Sequence, residues 1–215
     1  MDAEDHSDSA GGNGRSTRAA QTRARILDSA RAVLADQGLE RFTTRRVAER
    51  AGVSHGMVHY HFDDKRDLML ALAVQARRDW VEPLEELVDG PGTAMQRMRA
   101  VIAWTAEPAT REAANVHMSL FIAALRDELV RGRLAAEYER WRAPFVRLFE
   151  QIGAELGHDL DAQRVGDAFA SAADGLVQQQ CFDPGLDTGP ILTALFERLI
   201  HADVVAGART SRTPR

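Results

Sequence analysis

The sequence is poor in the residues that would commit it to several large classes of protein. It has one cysteine, Cys181, which excludes an internal disulfide framework and suits a reducing compartment. That thiol reads as a small buried hydrophobe more than as a redox sensor. No run approaches the roughly eighteen consecutive apolar residues of a membrane helix. The opening MDAEDHSDSAGGNG is acidic and has no apolar centre, so it does not read as a secretory signal. A cytoplasmic location and no membrane partner are expected. Dinucleotide-binding GxGxxG, phosphate-binding GxxxxGK and CxxC are also missing, and the carboxylates are spread over helix surfaces. No catalytic residue, cofactor or metal is expected.

Lysine is nearly absent as well. Lys65 is the only one, and every other basic side chain apart from the histidines is arginine. The formal charge of -5 hides an asymmetry. From Arg15 to Arg66 there are eleven basic and six acidic residues, so this window carries +5 and the rest of the chain -10. Opposite charge on two parts suggests two tasks, with the basic part suited to a polyanion.

What is present is helical periodicity. No alternating strand pattern stands out and no fixed repeat, so the chain reads as all-α. Ile26, Leu27, Ala30, Val33 and Leu34 form one apolar face, and Gly38 can stop that helix. Short helices are predicted from Thr44 to Ala51 and from about Ser54 to His61, joined by a turn at Gly52–Ser54. Asp64 can cap a long fourth helix, with Pro83 inside it. Further helices are expected near 93–107, 111–125, 128–156, 161–181 and 190–205. Four segments follow: a disordered tail over 1–17, a three-helix helix-turn-helix domain over 18–66, a larger helical domain over 67–206 and a disordered tail over 207–215.

The informative stretch is FTTRRVAERAGVSHGMVHYHFDDK, residues 42–65. Thr43 can cap the second helix, with Phe42 stapled onto Val47. Ser54 repeats the device for the third, with Val53 stapled onto Val58. Ala48 and Gly52 are small where two helices cross, and Gly52 can supply the tight turn. Val58 and Phe62 can pack inward, which leaves His55, Gly56, Met57, His59 and Tyr60 outside. Such a face suits a major groove: imidazole can bond base edges or phosphate, Met can touch a thymine methyl, and Gly56 permits close approach. Thr44, Arg45 and Arg46 open the second helix, where amides and guanidinium groups can hold phosphate. Lys65 sets a point charge at the start of the fourth.

This run resembles the DNA-binding signature of the TetR family of ligand-responsive repressors. The likeness lies in the Thr-Thr opening, the Ala-Gly-Val-Ser turn, the aromatic-His-Phe ending and the lysine two residues on. It spans about residues 20–70 without a gap. The resemblance implies that Thr44, Tyr60 and Lys65 contact phosphate and that Arg45, His55 and Met57 face bases. His59 departs from the family, which usually has tyrosine there. Residues 71–205 resemble the effector domain more loosely, in the manner of betaine-pathway regulators.

The expected function is a homodimeric regulator, most simply a repressor. Two heads would bind a pseudopalindromic double-stranded operator, and a small-molecule effector would release them. A hundredfold loss of DNA affinity needs about 2.8 kcal/mol of ligand preference for the released form. Trp80, Trp104, His117, Met118, Phe121, Trp141, Phe145, Phe149 and Gln178, with Asn115, are candidates to line an effector pocket as a set, although each taken singly reads more simply as core. The dimer is expected through the last two helices, at Val165, Phe169, Ala172, Leu176, Ile191, Leu195, Phe196 and Leu199, with Gly166, Ala170, Ala173 and Gly175 keeping the neighbouring surface small. Two alternatives stand beside this reading. One is an all-α metal-dependent hydrolase using His55, His59 and His61, since the first two have the i,i+4 spacing of a zinc pair. The other is a DNA-binding protein with a filled core and no effector.

Overall fold

A computed structural model of the chain describes residues 10–107, 109–180, 182–183 and 185–210. Among the described residues the regular structure is entirely helical, and no helix is long and apolar enough to cross a membrane. The chain divides into two compact units between Leu72 and Ala73, a turn and a half beyond the expected border at 66.

The first unit holds α1 (Ala10–Arg41), α2 (Thr44–Ala51), α3 (His55–His61) and the start of α4 (Lys65–Val88). The first helix begins earlier than expected: residues 10–17, read as part of a disordered tail, are helical, because the Ala-, Arg- and Gln-rich stretch that follows favours helix. Residues 1–9 lie outside the described part. Ile26, Leu27, Ala30, Val33 and Leu34 are buried, as their spacing predicts. Gly38 breaks the helical course at φ 72°, a value that favours glycine. Phe42, Val47, Val58, Phe62, Leu68 and Leu72 complete this core.

Both short helices are capped as their sequences require. Thr43 Oγ1 accepts from the Arg46 amide at 3.3 Å and Ser54 Oγ from the Met57 amide at 3.2 Å. Asp64 Oδ1 accepts from the Asp67 amide at 2.9 Å and so caps α4. Gly52 ends α2 at φ 64°, its amide turned back to the Ala48 and Glu49 carbonyls. A Cβ there would meet nothing within 4 Å, so glycine serves the backbone turn and not a close helix crossing. Gly52→Ala should therefore lower stability by about 1–2 kcal/mol through left-handed strain alone. Gly52→Asn should lose less, and denaturant titration of the two variants checks the order.

The second unit contains the rest of α4 with α5 (Ala94–Thr105), α6 (Ala109–Ala124), α7 (Glu128–Leu156), α8 (Ala162–Gln180) and α9 (Thr188–Thr210). The last helix runs on through 207–210, where a tail was expected, and 211–215 lie outside the described residues. Local signals set the helix ends: a capping box between Thr93 and Gln96 opens α5, Asp127 caps α7, and Gly157 closes it at φ 66°. The core is built on α7, whose Trp141, Phe145, Leu148, Phe149 and Ile152 return at helical spacing. Phe149 and Phe169 both lie against Phe196, with ring centroids 5.9 and 6.4 Å away.

The small residues of α8 serve this core. A Cβ on Gly166 would lie 2.9 Å from Val146 Cα and 3.0 Å from its nitrogen, so α8 passes directly over the α7 backbone at that point. Gly166, Ala170 and Ala173 are buried within the chain. Their smallness admits the neighbouring helix, where the sequence reading had given it to a partner chain.

Candidate nucleic-acid interface and aromatic core

The face of α3 that was expected to meet DNA is open. Tyr60 is 77% exposed and Met57 40%, so both side chains are open to a partner surface. A Cβ on Gly56 would meet only Ser54 Oγ, at 4.0 Å, so the helix surface is uncrowded there. Arg45 is 82% exposed and makes a solvated ion pair to Glu49 at 3.4 Å. Such pairs contribute about 0–1 kcal/mol, so phosphate or a base can displace Glu49 at little cost. Arg46 donates through Nη1 to Gln37 Oε1, and Arg50 pairs with Asp36 at 2.7 Å.

Lys65 has a structural task as well as a free charge. Its ammonium donates to the Leu39 carbonyl at 3.2 Å and stands 5.7 Å from the centre of the Phe42 ring. This ties the start of α4 to the end of α1. An ammonium carries three donors, so two remain for a phosphate.

His55 and His59 form a relay that sequence spacing alone does not assign. His59 Nδ1 lies 3.2 Å from the Asp63 carbonyl, which can only accept, so that nitrogen carries the proton. In the neutral ring, Nε2 is then an acceptor. It faces His55 Nε2 at 3.1 Å, and Thr44 Oγ1 lies 2.9 Å from the same His55 nitrogen. One proton on His55 Nε2, shared between His59 and the Thr44 oxygen, satisfies both contacts at that nitrogen. It leaves the Thr44 hydroxyl hydrogen and His55 Nδ1 directed to neither histidine partner. His59 has both ring nitrogens engaged within the chain, one of them against His55. His61 stacks edge-on against Tyr60 and stays apart from this pair. Among the described residues no group of three metal-ligating side chains occurs.

Residues 52–56, GVSHG, spell the GxSxG of a nucleophile elbow, although the sequence was expected to hold none. Here the serine follows a helix, not a strand, and its Oγ accepts from Met57 as an N-cap. It is not an activated nucleophile.

The aromatic residues proposed for a pocket separate into groups. Trp80 (α4), Trp104 (α5) and Trp141 (α7) meet in one cluster, with ring centroids 5.7, 5.8 and 6.3 Å apart. Phe145 continues it at 5.0 Å from Trp141, while Phe149 belongs to the deeper Phe169–Phe196 core. Phe121 is 44% exposed and Met118 is half-buried. The side chains of Asn115 and His117, and Cys181, lie outside the described residues. The indole Nε1 groups of Trp80 and Trp141 are buried with no acceptor. Each such donor costs roughly 1–3 kcal/mol. A polar group missed in the sequence lies close along α7: the Tyr138 hydroxyl donates to Asp174 Oδ2 at 3.1 Å, and Gln178 Nε2 donates to the same oxygen at 2.7 Å. Burial first, and then the Asp174 carboxylate, push the phenol well above its ordinary range, so it stays a neutral donor. The only signals in sequence were the Asp174–Gln178 spacing and one tyrosine on an amphipathic helix.

Of the residues expected at a dimer interface, Val165, Phe169 and Phe196 fill the chain's own core. Ala172, Leu176, Leu195 and Leu199 are half-buried and Ile191 is 43% exposed, which leaves a lateral stripe along α8 and α9.

Comparison with known proteins agrees with this division. The model of the tetR family of bacterial regulatory proteins matches residues 26–72, and that of the BetI-type transcriptional repressor C-terminal region matches 94–203. The chain is 27% identical over 187 residues to the HTH-type transcriptional regulator BetI of Rhizobium meliloti, covering 84% of this chain and 88% of the relative. Many solved structures share the fold, among them two that hold a bound ligand. A transcriptional regulator from Saccharomonospora viridis in complex with choline has TM-score 0.68 at 19% identity, covering 85% of this chain and 95% of that one. The transcriptional regulator FadR from Bacillus subtilis in complex with stearoyl-CoA has TM-score 0.67 at 20% identity, covering 82% and 96%.

Proposed function

The chain belongs to the tetR family of bacterial regulatory proteins and is a transcriptional regulator, not an enzyme; from that premise we propose that it is a cytoplasmic, dimeric repressor released from its operator by an amphipathic effector with a cationic end. The open face of α3, bordered by Arg45, Thr44 and Lys65, is the observation that carries the DNA-binding half. Thr44, Tyr60 and Lys65 would hold phosphate. Arg45, His55 and Met57 would meet base edges, with Thr43 and Ser54 fixing the two helices and His59 orienting His55. Twofold symmetry of the dimer would match a pseudopalindromic site.

Selection from a random duplex library tests this half: an enriched inverted repeat is expected, and no enrichment overturns it. On the selected site, Arg45→Ala should cost about 1–3 kcal/mol and relax preference at one position. Lys65→Ala should weaken all sequences alike and flatten the salt dependence by about one unit. An unchanged salt slope would remove Lys65 from the phosphate contacts.

Three indole rings beside a tyrosine–carboxylate pair support a cationic end on the effector, because aromatic faces attract cations. A neighbour that binds choline is consistent with that chemistry. The neighbour holding stearoyl-CoA supplies the competing class, a long apolar chain. Ring contact within the cluster favours a second reading, a filled core without an effector. Thermal-shift titration separates these, since only a ligand that binds the native state raises the melting temperature.

A further inference from the structure

Three side chains of the helix-turn-helix and one carbonyl meet in a row of contacts whose direction is set from its end. His59 Nδ1 lies 3.2 Å from the Asp63 carbonyl. Asp63 is itself held, because its amide donates to Asp67 Oδ2 at 3.2 Å within the cap of α4. A carbonyl only accepts, so in a neutral His59 the proton is on Nδ1 and the lone pair on Nε2. His55 Nε2 stands 3.1 Å from that lone pair and 2.9 Å from Thr44 Oγ1. Two lone pairs at 3.1 Å would repel, so the His55 proton sits on Nε2 and its own lone pair on Nδ1. The two nitrogens of an imidazole face different sides of the ring, which turns Nδ1 away from Thr44 and His59. His55 is exposed at the start of α3, the helix offered to the groove.

We propose that His59 fixes the hydrogen-bonding sense of His55, so that His55 Nδ1 accepts from the amino group of an adenine or cytosine in the major groove. The Thr44 hydroxyl, already accepting from His55, turns its own hydrogen to a phosphate oxygen. This rests on the DNA-binding reading above and adds which bases the helix selects at one position. Adenine N6 and cytosine N4 are the base-edge donors of that groove. Guanine O6 and thymine O4 would set an acceptor against an acceptor. An imidazole with no fixed tautomer has no such preference, because either nitrogen can carry the proton. Lysine or arginine in its place would favour guanine, since both only donate. The discrimination therefore depends on His59, a positioning residue at the place where this chain departs from the tyrosine usual in its family.

The full chain is titrated with duplexes of its selected operator at pH 8, so that neutral imidazole is the form tested. His55→Ala locates the base pair whose preference it relaxes. At that pair the amino-bearing base is replaced by its analogue without the amino group, purine for adenine or 2-pyrimidinone for cytosine. The unmodified chain should lose about fivefold to tenfold in affinity, the worth of one hydrogen bond between uncharged groups. His55→Ala, which cannot read the amino group, controls for any change in the duplex itself. His59→Phe keeps a ring but removes the acceptor, and should make the two duplexes bind alike. His59→Gln places an amide oxygen near the position of Nε2 and should restore the difference. Both histidines are exposed, so these changes carry little risk to folding. A merely structural role for His59 would weaken both duplexes equally and leave their ratio as it was, which would overturn the proposal. So would a preference for guanine or thymine at that pair, since His55 would then be a donor, or an amino group whose removal costs nothing. If His55→Ala relaxes no position while Lys65→Ala still flattens the salt dependence, this proposal alone fails and DNA binding stands. If no operator is selected at all, it falls together with the DNA-binding reading.

Discussion

Leu195→Glu combined with Leu199→Glu should yield a folded monomer whose operator affinity is about 10²–10⁴-fold lower, the gain that linking two heads supplies. The two residues lie four apart on α9, with Ile191 one turn earlier on the same stripe and Ala172 and Leu176 on α8 beside it. Leu195 and Leu199 lean on the core and are half-buried in the single chain, so each still presents apolar surface outward. A helix with apolar groups on that much of its surface gains by covering the rest, and two helices from each chain make a four-helix contact. Carboxylates there would have to be desolvated on association, at a cost of several kcal/mol. Ile191→Glu, at the most exposed position of the stripe, tests the same surface with the least risk to folding. Light scattering reads the mass and circular dichroism the helix content. A dimer that persists with full operator affinity in both variants would place the interface elsewhere.

Gly166→Ala should destabilise the second unit by roughly 1–3 kcal/mol, the usual cost of forcing atoms into a packed site. In an ordinary helix interior the same change gains about 0.5–1 kcal/mol, since glycine has more backbone freedom to lose on folding. The sign is reversed here because the new methyl carbon would lie 2.9 Å from Val146 Cα, and backbone cannot turn aside as a side chain can. Gly132→Ala, on an exposed part of α7 with nothing within 4 Å of its Cβ position, is the matched control and should stabilise. For a chain of this size each kcal/mol moves the melting temperature by about 2–4 °C. A rise in both variants would mean that α7 and α8 stand further apart than described.

The helix ends show how much was legible beforehand. Thr43, Ser54, Asp64 and Gly52 act within three or four residues of themselves, so a cap or a turn can be read from the string that contains it. The basic head, the division into two units and the periodic apolar faces are local or compositional in the same way. The α3 face was legible too, because a seven-residue helix can hide only Val58 and its cap Phe62, and the rest must face outward. His59 was not. Its role depends on a carbonyl four residues on and on where α2 holds Thr44, eleven residues before His55.

The sequence by itself determined where helices start and stop, which face of each is apolar, and which segment is chemically suited to DNA, since these follow from neighbours along the chain. Tertiary structure alone decided who meets whom. Trp80, Trp104 and Trp141 are 24 and 37 residues apart in sequence, and only the packing of α4, α5 and α7 makes one cluster of them with two donors left unpaired. The small face of α8 was plain in the sequence, but either a partner chain or α7 could have filled it. Contact with Val146 settles it for α7, because two helices of one chain meet without the loss of translational and rotational freedom that a second molecule must bear.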